Sequence, residues 1–306
     1  MNSGPRTHSY FIRNVAFVRM EPERVADTTC EVGEGPLWHP DEERLYWVDI
    51  PNGRLYRYDP AADTHEEVYR TDVIGGFTIQ DDGGLLLFED GGRIETWDDG
   101  EAETIVAGVE READSRFNDV ITDPRGGVFC GTMPTDDRLG RLYRLDTQGT
   151  LTEVRDGLDV PNGMGFTPDQ EEFYFTDTGG RTIYACEYDE TDGTLGEKRP
   201  FVRVPDEEGE GMPDGMTVDA EGGVWSARWG GGVLVRYAPG GTETRRIELP
   251  ARKVSSATFG GPGYDELYVT TAGGDDRESE GDGAGALFRL DPDVGGVAEF
   301  RSNVDG

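Results

Sequence analysis

Val160–Thr178 reads VPNGMGFTPDQEEFYFTDT, and Met212–Trp229 reads MPDGMTVDAEGGVWSARW. Both stretches open on a proline, a short polar residue (Asn162, then Asp214) and a glycine. Each then runs through an apolar segment, turns on Pro, Asp or Gly, and finishes in an aromatic-rich run. Apolar alternation on either side of such a turn is the pattern of two antiparallel strands. Four more copies occur: EGPLWHPDEERLYWVD from Glu34, GGFTIQDDGGLLLFE from Gly75, NDVITDPRGGVFCGT from Asn118 and SSATFGGPGYDELYVTT from Ser255. Their heads are spaced by 41, 43, 44, 52 and 41 residues. A third strand follows in most copies, as in GRLYRYDP at Gly53, GRLYRLD at Gly140 and GALFRLDP at Gly285, and a fourth fits in the residues that remain.

Repeats of about 40–50 residues with four short strands each predict a β-propeller, here with six blades. A β-sandwich would show no such period. The whole chain, 1–306, then reads as one all-β, six-bladed domain without a linker. The segment NVAFVRMEPERVAD is expected to close the ring on the last blade, and residues 1–13 to form a poorly ordered extension. The 52-residue spacing is expected to reflect a longer loop near DEEGEGMPDG.

Composition narrows the function classes. The chain has 63 acidic and 29 basic residues, a net charge of −34, and only two lysines, Lys198 and Lys253. The acids are dispersed rather than gathered in a tail. A dispersed acidic surface suits a protein working in molar salt, where screening falls to about 3 Å. Without a basic stripe, nucleic acid is not expected as a partner. No apolar run reaches the ~20 residues of a membrane span, so no membrane association is expected either. The first twenty residues lack the apolar core of a signal peptide, which points to the cytoplasm. Three scattered cysteines, Cys30, Cys130 and Cys186, form no CxxC and read as buried thiols.

In a propeller the first strand of every blade lines a central channel, so equivalent positions converge on one mouth. The heads form a ring of Glu34, Gly75, Asn118, Asn162, Asp214 and Ser255. The ends of the second strands form another, of Asp49, Glu89, Thr132, Asp177, Arg228 and Thr271. Oxygen donors from Glu34, Asn162 and Asp214 suit one divalent metal ion, with Ca, Zn, Mn, Mg and Fe(II) all open. Two acids facing each other across a narrow channel would otherwise repel. The alternative is that polar residues at a wet channel end merely solvate strand termini, which is the better reading for Ser255 and the second ring. Histidine offers no material for a zinc site or a nucleophilic triad, since His8, His39 and His65 are scattered.

GEGPLW at Gly33, SRFNDV at Ser115, CGTM at Cys130, PNGM at Pro161, PDGMTVDAEGGVW at Pro213 and FGG at Phe259 occur in that order. As an ordered set the motifs resemble those of the SMP-30/gluconolactonase family, which includes regucalcin and sugar lactonases. The resemblance runs from about Cys30 to Phe288. It implies a six-bladed propeller with a single divalent metal, Glu34, Asn162 and Asp214 as its ligands, and Asp214 also as acid/base. It further implies substrate binding by Arg116 and Asn118 of RFND. Asp136 stands near a position where some sugar lactonases carry Glu, and its shorter reach alters the expected fit to sugar hydroxyls.

The chemistry so implied is metal-dependent hydrolysis of a sugar-acid lactone, a small-molecule substrate, by a monomer or weak homo-oligomer. Arg116 and Asn118 offer charge and hydrogen bonds to polyol oxygens. Two other classes stay open: a phosphotriesterase or aryl-esterase on the same propeller, and a non-catalytic calcium-binding protein.

Overall fold

The computed structural model describes residues 20–305. The expectation for residues 1–13 lies outside the described residues. Each of the six repeats folds as one antiparallel sheet. Their inner strands are Gly33–His39, Ile74–Ile79, Phe117–Thr122, Pro161–Phe166, Met212–Val218 and Lys253–Gly260. In the first five blades the four strands follow one another outward in chain order; the fourth blade adds the two-residue strand Thr194–Leu195. The sixth takes its outer strand from the other end of the chain, where Glu23–Ala26 pairs antiparallel with Leu287–Leu290. This is the ring closure the sequence predicts.

The 52-residue spacing has two sources. The loop before Met212 is long, as expected, but the outer hairpin of the fourth blade is also wide. Its third strand runs to Asp189, its fourth begins at Arg199, and Thr194–Leu195 folds back between them.

Alternating strand residues fill the seams between blades. Phe129, Phe166, Phe173 and Tyr188 pack the third blade on the fourth, and Trp225, Phe259, Leu267 and Phe288 the fifth on the sixth. Burial of such aromatic and aliphatic faces supplies the main favourable contribution to the fold.

One device recurs at all six heads. Register between the inner and second strands slips at Glu34/Leu37, Ile74/Gly76, Phe117/Val120, Asn162/Met164, Pro213/Met216 and Val254/Ser256. A β-bulge breaks period-two alternation and re-aims the side chains beside it. The inner strands also crowd one another there. A Cβ on Gly75 would lie 2.0 Å from the Phe117 carbonyl oxygen, and one on Gly163 would lie 2.4 Å from that of Asp214. Glycine at these positions lets neighbouring blades approach.

The far end of the channel is crossed by the C-terminal segment. The Ala220 amide donates to Gly295 O at 2.9 Å, Ser302 N to Ile79 O at 2.8 Å and Asn303 N to Gly126 O at 2.9 Å. Glu299 and Phe300 thereby floor a channel cavity of about 60 Å³, which also touches Asp119 and Ser256. It has room for a few waters. No helix among the described residues is long and apolar enough to cross a membrane.

Candidate functional site

Glu34, Asn118, Asn162 and Asp214 are each no more than 6% exposed and stand at the starts of their inner strands, at one end of the channel, the mouth. A chain of hydrogen bonds joins three blades. Arg116 Nη1 donates to Asn118 Oδ1 at 2.8 Å, Asn118 Nδ2 to Asn162 Oδ1 at 3.1 Å, and Asn162 Nδ2 to Asp214 Oδ1. Asn118 Nδ2 also reaches the Pro161 carbonyl at 3.1 Å, and Asn162 Nδ2 the Thr178 hydroxyl at 3.2 Å. Both amides are therefore fixed with an oxygen and a nitrogen in defined places.

Charge at the mouth is poorly compensated. Burial pushes the Glu34 carboxyl well above the usual carboxylate range, and the charges of Asp214 and Asp119 add to that. The Gly35 amide and Arg116 oppose it. Asp214 is raised in the same way, by burial and then by Asp119. Asp119 itself is pushed up to about 6 by burial, against the Gly163 amide and Arg116. The Arg116 guanidinium falls to about 10 because it too is dehydrated, with Glu34 and Asp119 pulling the other way. Glu34 and Asp119 share one arginine, and among the described residues Asp214 has none beside it.

Asp119 is the residue that sequence reasoning missed. Strict alternation would turn it away from a channel that Asn118 faces. The bulge between Phe117 and Val120 lets both consecutive side chains serve the channel. The only sequence signal was an acid directly after a ring position.

The other expected residues fall into two groups. Arg116 lies beside the ring, bonded to Asn118 and to the Phe117 carbonyl at 2.8 Å. Asp136 does not join it; it sits exposed at the tip of a hairpin closed by Thr135 and Arg138. The second ring shares the mouth end but serves the turns there. Asp49 Oδ1 accepts the Val32 amide at 3.1 Å, Asp177 Oδ1 the Asp159 amide at 3.0 Å, and Thr132 Oγ1 the Arg141 amide at 3.2 Å. Asp49, Asp177 and Thr132 thus cap backbone at the strand ends, in line with the structural reading the sequence favours for this ring. Ser255 also acts structurally, with Oγ bonded to the Gly33 carbonyl and Thr270.

Among the described residues, no three His, Cys, Asp or Glu side chains gather closely enough to hold an ion by themselves. An ion site here would need at least one donor of another kind, which the amide of Asn162 offers beside Glu34 and Asp214. That set fits a hard cation. Among the described residues, Glu34 Oε1 and Asp214 Oδ2 accept no hydrogen bond, while their partner oxygens take one each, from Gly35 N and Asn162. Carboxylate oxygens that accept from no donor are stabilised by positive charge.

Comparison with known proteins places this geometry. The model of the SMP-30/gluconolactonase/LRE-like region matches residues 32–273. The chain belongs to that family. Pentonolactonase XacC of Haloferax volcanii is 55% identical over 298 residues, covering 93% of this chain and 99% of the relative. Regucalcin of Xenopus laevis is 32% identical, covering 82% of this chain and 86% of the relative. Among solved structures, a calcium-binding regucalcin from Agrobacterium tumefaciens superposes with a TM-score of 0.85 at 26% identity, covering 92% and 97% of the two chains. The ordered motifs and the six-bladed ring agree with this family.

Proposed function

We propose that this chain hydrolyses sugar-acid lactones with one divalent metal ion held by Glu34, Asn162 and Asp214. The coarser statement, a carboxylic ester hydrolase of the lactonase type, rests on family membership and on likeness to a pentonolactonase along nearly the whole chain. The observation that carries the finer one is the convergence of two donor-poor carboxylates and a fixed amide beside Asn118 and Arg116. Oxygen-only ligation favours a hard ion such as calcium, magnesium or manganese. When bound, such an ion supplies Lewis acidity toward the lactone carbonyl oxygen and toward water.

The protein's own groups do the rest. Asp214 takes a proton from the attacking water as the new C–O bond forms, and returns it to the ring oxygen as the ester bond breaks. Lactone and water become one open-chain hydroxy acid. Asn162 orients Asp214 through its amide N–H, and Asn118 orients Asn162 in turn. Arg116 and Asn118 meet hydroxyl groups of the sugar, and Asp136 reaches the substrate from its hairpin. An apolar ester would leave the remaining N–H groups of the dehydrated Arg116 unmatched, at about 1–3 kcal/mol each, since only its Nη1 donates among the described residues. We therefore expect xylono-, arabino-, galactono- or gluconolactone ahead of aryl esters and phosphotriesters.

Three buried free thiols, Cys30, Cys130 and Cys186, suit a reducing cytoplasm. The dispersed acidic surface suits one rich in salt.

A pH-drop assay across aldonolactones, unsubstituted lactones, aryl esters and a paraoxon-like triester, with and without chelator, tests the proposal. Chelator-sensitive turnover led by the aldonolactones is expected; triesters outrunning every aldonolactone would replace it. Asn118→Ala should lower kcat/KM for hydroxylated lactones far more than for valerolactone. Equal losses would remove Asn118 from sugar recognition.

A further inference from the structure

The connection after the second strand is a tight turn in four blades, at residues 50–53, 90–93, 178–181 and 230–232. In the third blade it is longer, 133–139, and rises from the mouth directly beside Arg116. Both of its ends are fastened to the segment that leads into Arg116. At the start, the Ser115 hydroxyl donates to the Met133 carbonyl at 2.7 Å and the Met133 amide to Arg116 O at 3.0 Å. At the finish stands Glu112, which is fully buried. Its Oε2 lies 2.9 Å from Arg138 and its Oε1 2.9 Å from Arg141, while the Tyr143 hydroxyl donates to Oε1 at 2.7 Å. Arg138 pairs back on Thr135, closing a hairpin with Asp136 and Asp137 at its tip.

We infer that Glu112 is a positioning residue for substrate recognition, because it fixes through Arg138 where the Asp136 hairpin stands beside Arg116. This rests on the reading of Asp136 as a sugar contact. A buried carboxylate between two arginines is weak evidence for net stability, since dehydration offsets much of the attraction. It does impose one geometry, because removing the carboxylate takes away the anion that Arg138 and Arg141 share. No other carboxylate substitutes for it at both: Arg138 also reaches Asp114 at 3.0 Å, and Arg141 reaches Glu153 at 3.3 Å, each outside the hairpin's base.

Glu112→Gln should raise KM for hydroxylated lactones about tenfold, the equivalent of one well-placed polar contact, with kcat changed less than about twofold. In an Asp136→Ala background the same substitution should add nothing, because both act through one contact. An unchanged KM, or losses that add in the double variant, would overturn the inference. If Glu112→Gln does not accumulate as folded protein, Arg138→Gln on the partly exposed hairpin should reproduce the effect, and an unchanged KM there overturns it equally. Wild-type turnover is measured first. Should no lactone be hydrolysed, the functional reading fails, and the inference is then judged by amide hydrogen exchange. Exchange at Thr135–Arg138 should rise in Glu112→Gln while that at Asp189–Thr194 stays constant; no selective rise overturns it.

Discussion

Asp214 and Asp219 stand at opposite ends of one inner strand, both buried, with opposite surroundings. Asp219 is fully matched. Its Oδ1 accepts the Glu221 and Gly223 amides at 3.0 and 2.8 Å, and its Oδ2 accepts Trp225 Nε1 at 2.8 Å and Arg236 Nε at 2.7 Å. Asp123 repeats the arrangement in the third blade with Arg125 N, Gly127 N and Arg144 Nε at 2.8, 3.0 and 2.7 Å. Asp214 has one amide N–H from Asn162 and a second carboxylate, Asp119, for company. One end of the strand stabilises its acids; the other leaves them short of positive charge. Burial alone therefore separates nothing; the partners distinguish the acid that serves the turn from the one proposed for chemistry.

The largest effect should come from exchanging the two ends. Asp214→Asn should lower lactone turnover roughly 10³-fold or more. It should leave the melting temperature of metal-free protein unchanged or higher, because a repelling charge is gone. Glu34→Gln should abolish metal retention in an elemental analysis. Asp219→Asn should do the reverse, keeping turnover per folded molecule while losing about 3 kcal/mol or more in chemical denaturation, as expected for a broken buried charge pair. Full occupancy and activity in Glu34→Gln, or an intact fold in Asp219→Asn, would erase the distinction.

The same contrast explains what was legible in the sequence. The six-fold period exposed the blades, the closure by an N-terminal strand and the ring Glu34–Asn118–Asn162–Asp214, because a repeat converts spacing directly into position. Period-two logic failed where the backbone departs from period two. The bulge between Phe117 and Val120 hid Asp119. Asp136 was placed by motif position alone, and its hairpin stands away from the ring because loop height is set by side-chain anchors such as Glu112, which follow no repeat. The repeat did separate Asp214, at a ring head, from Asp219, in the turn, but not the partners that match Asp219 and leave Asp214 short.

A smaller, distributed effect concerns the surface. Even if every one of the 29 basic residues pairs with an acid, the net charge of −34 remains without a partner. These acids resemble Asp214 in lacking counter-charge but differ in being hydrated, so dissolved cations can serve them. Lowering KCl from molar to about 0.1 M lengthens screening to ~10 Å and should lower the melting temperature progressively. Asp219→Asn should shift the curve without changing its slope, because that site is screened little. A melt indifferent to this dilution would argue against a high-salt cytoplasm.

Glu89 supplies the finest test, because it falls between the two kinds of acid. It is fully buried at the mouth end and, among the described residues, paired only with the partly exposed Arg93. Burial lifts its carboxyl to about 7, Arg93 opposes, and Glu95, Asp90 and Asp72 add to the rise. Tyr69 also faces it. A carboxyl raised from 4.5 in the unfolded chain holds its proton longer in the folded one. Between these values the folded state binds more protons, so its stability is greatest below about pH 4.5, falls as pH rises, and levels off above about 7. The full difference is at most roughly 3 kcal/mol. Glu89→Gln removes the titrating group. The variant should match the parent near pH 4.5 and exceed it at pH 8, by roughly 1–3 kcal/mol in urea denaturation at constant salt. If the parent is instead the more stable at pH 8, the Arg93 pair outweighs dehydration, and Glu89 belongs with Asp219 among the matched acids.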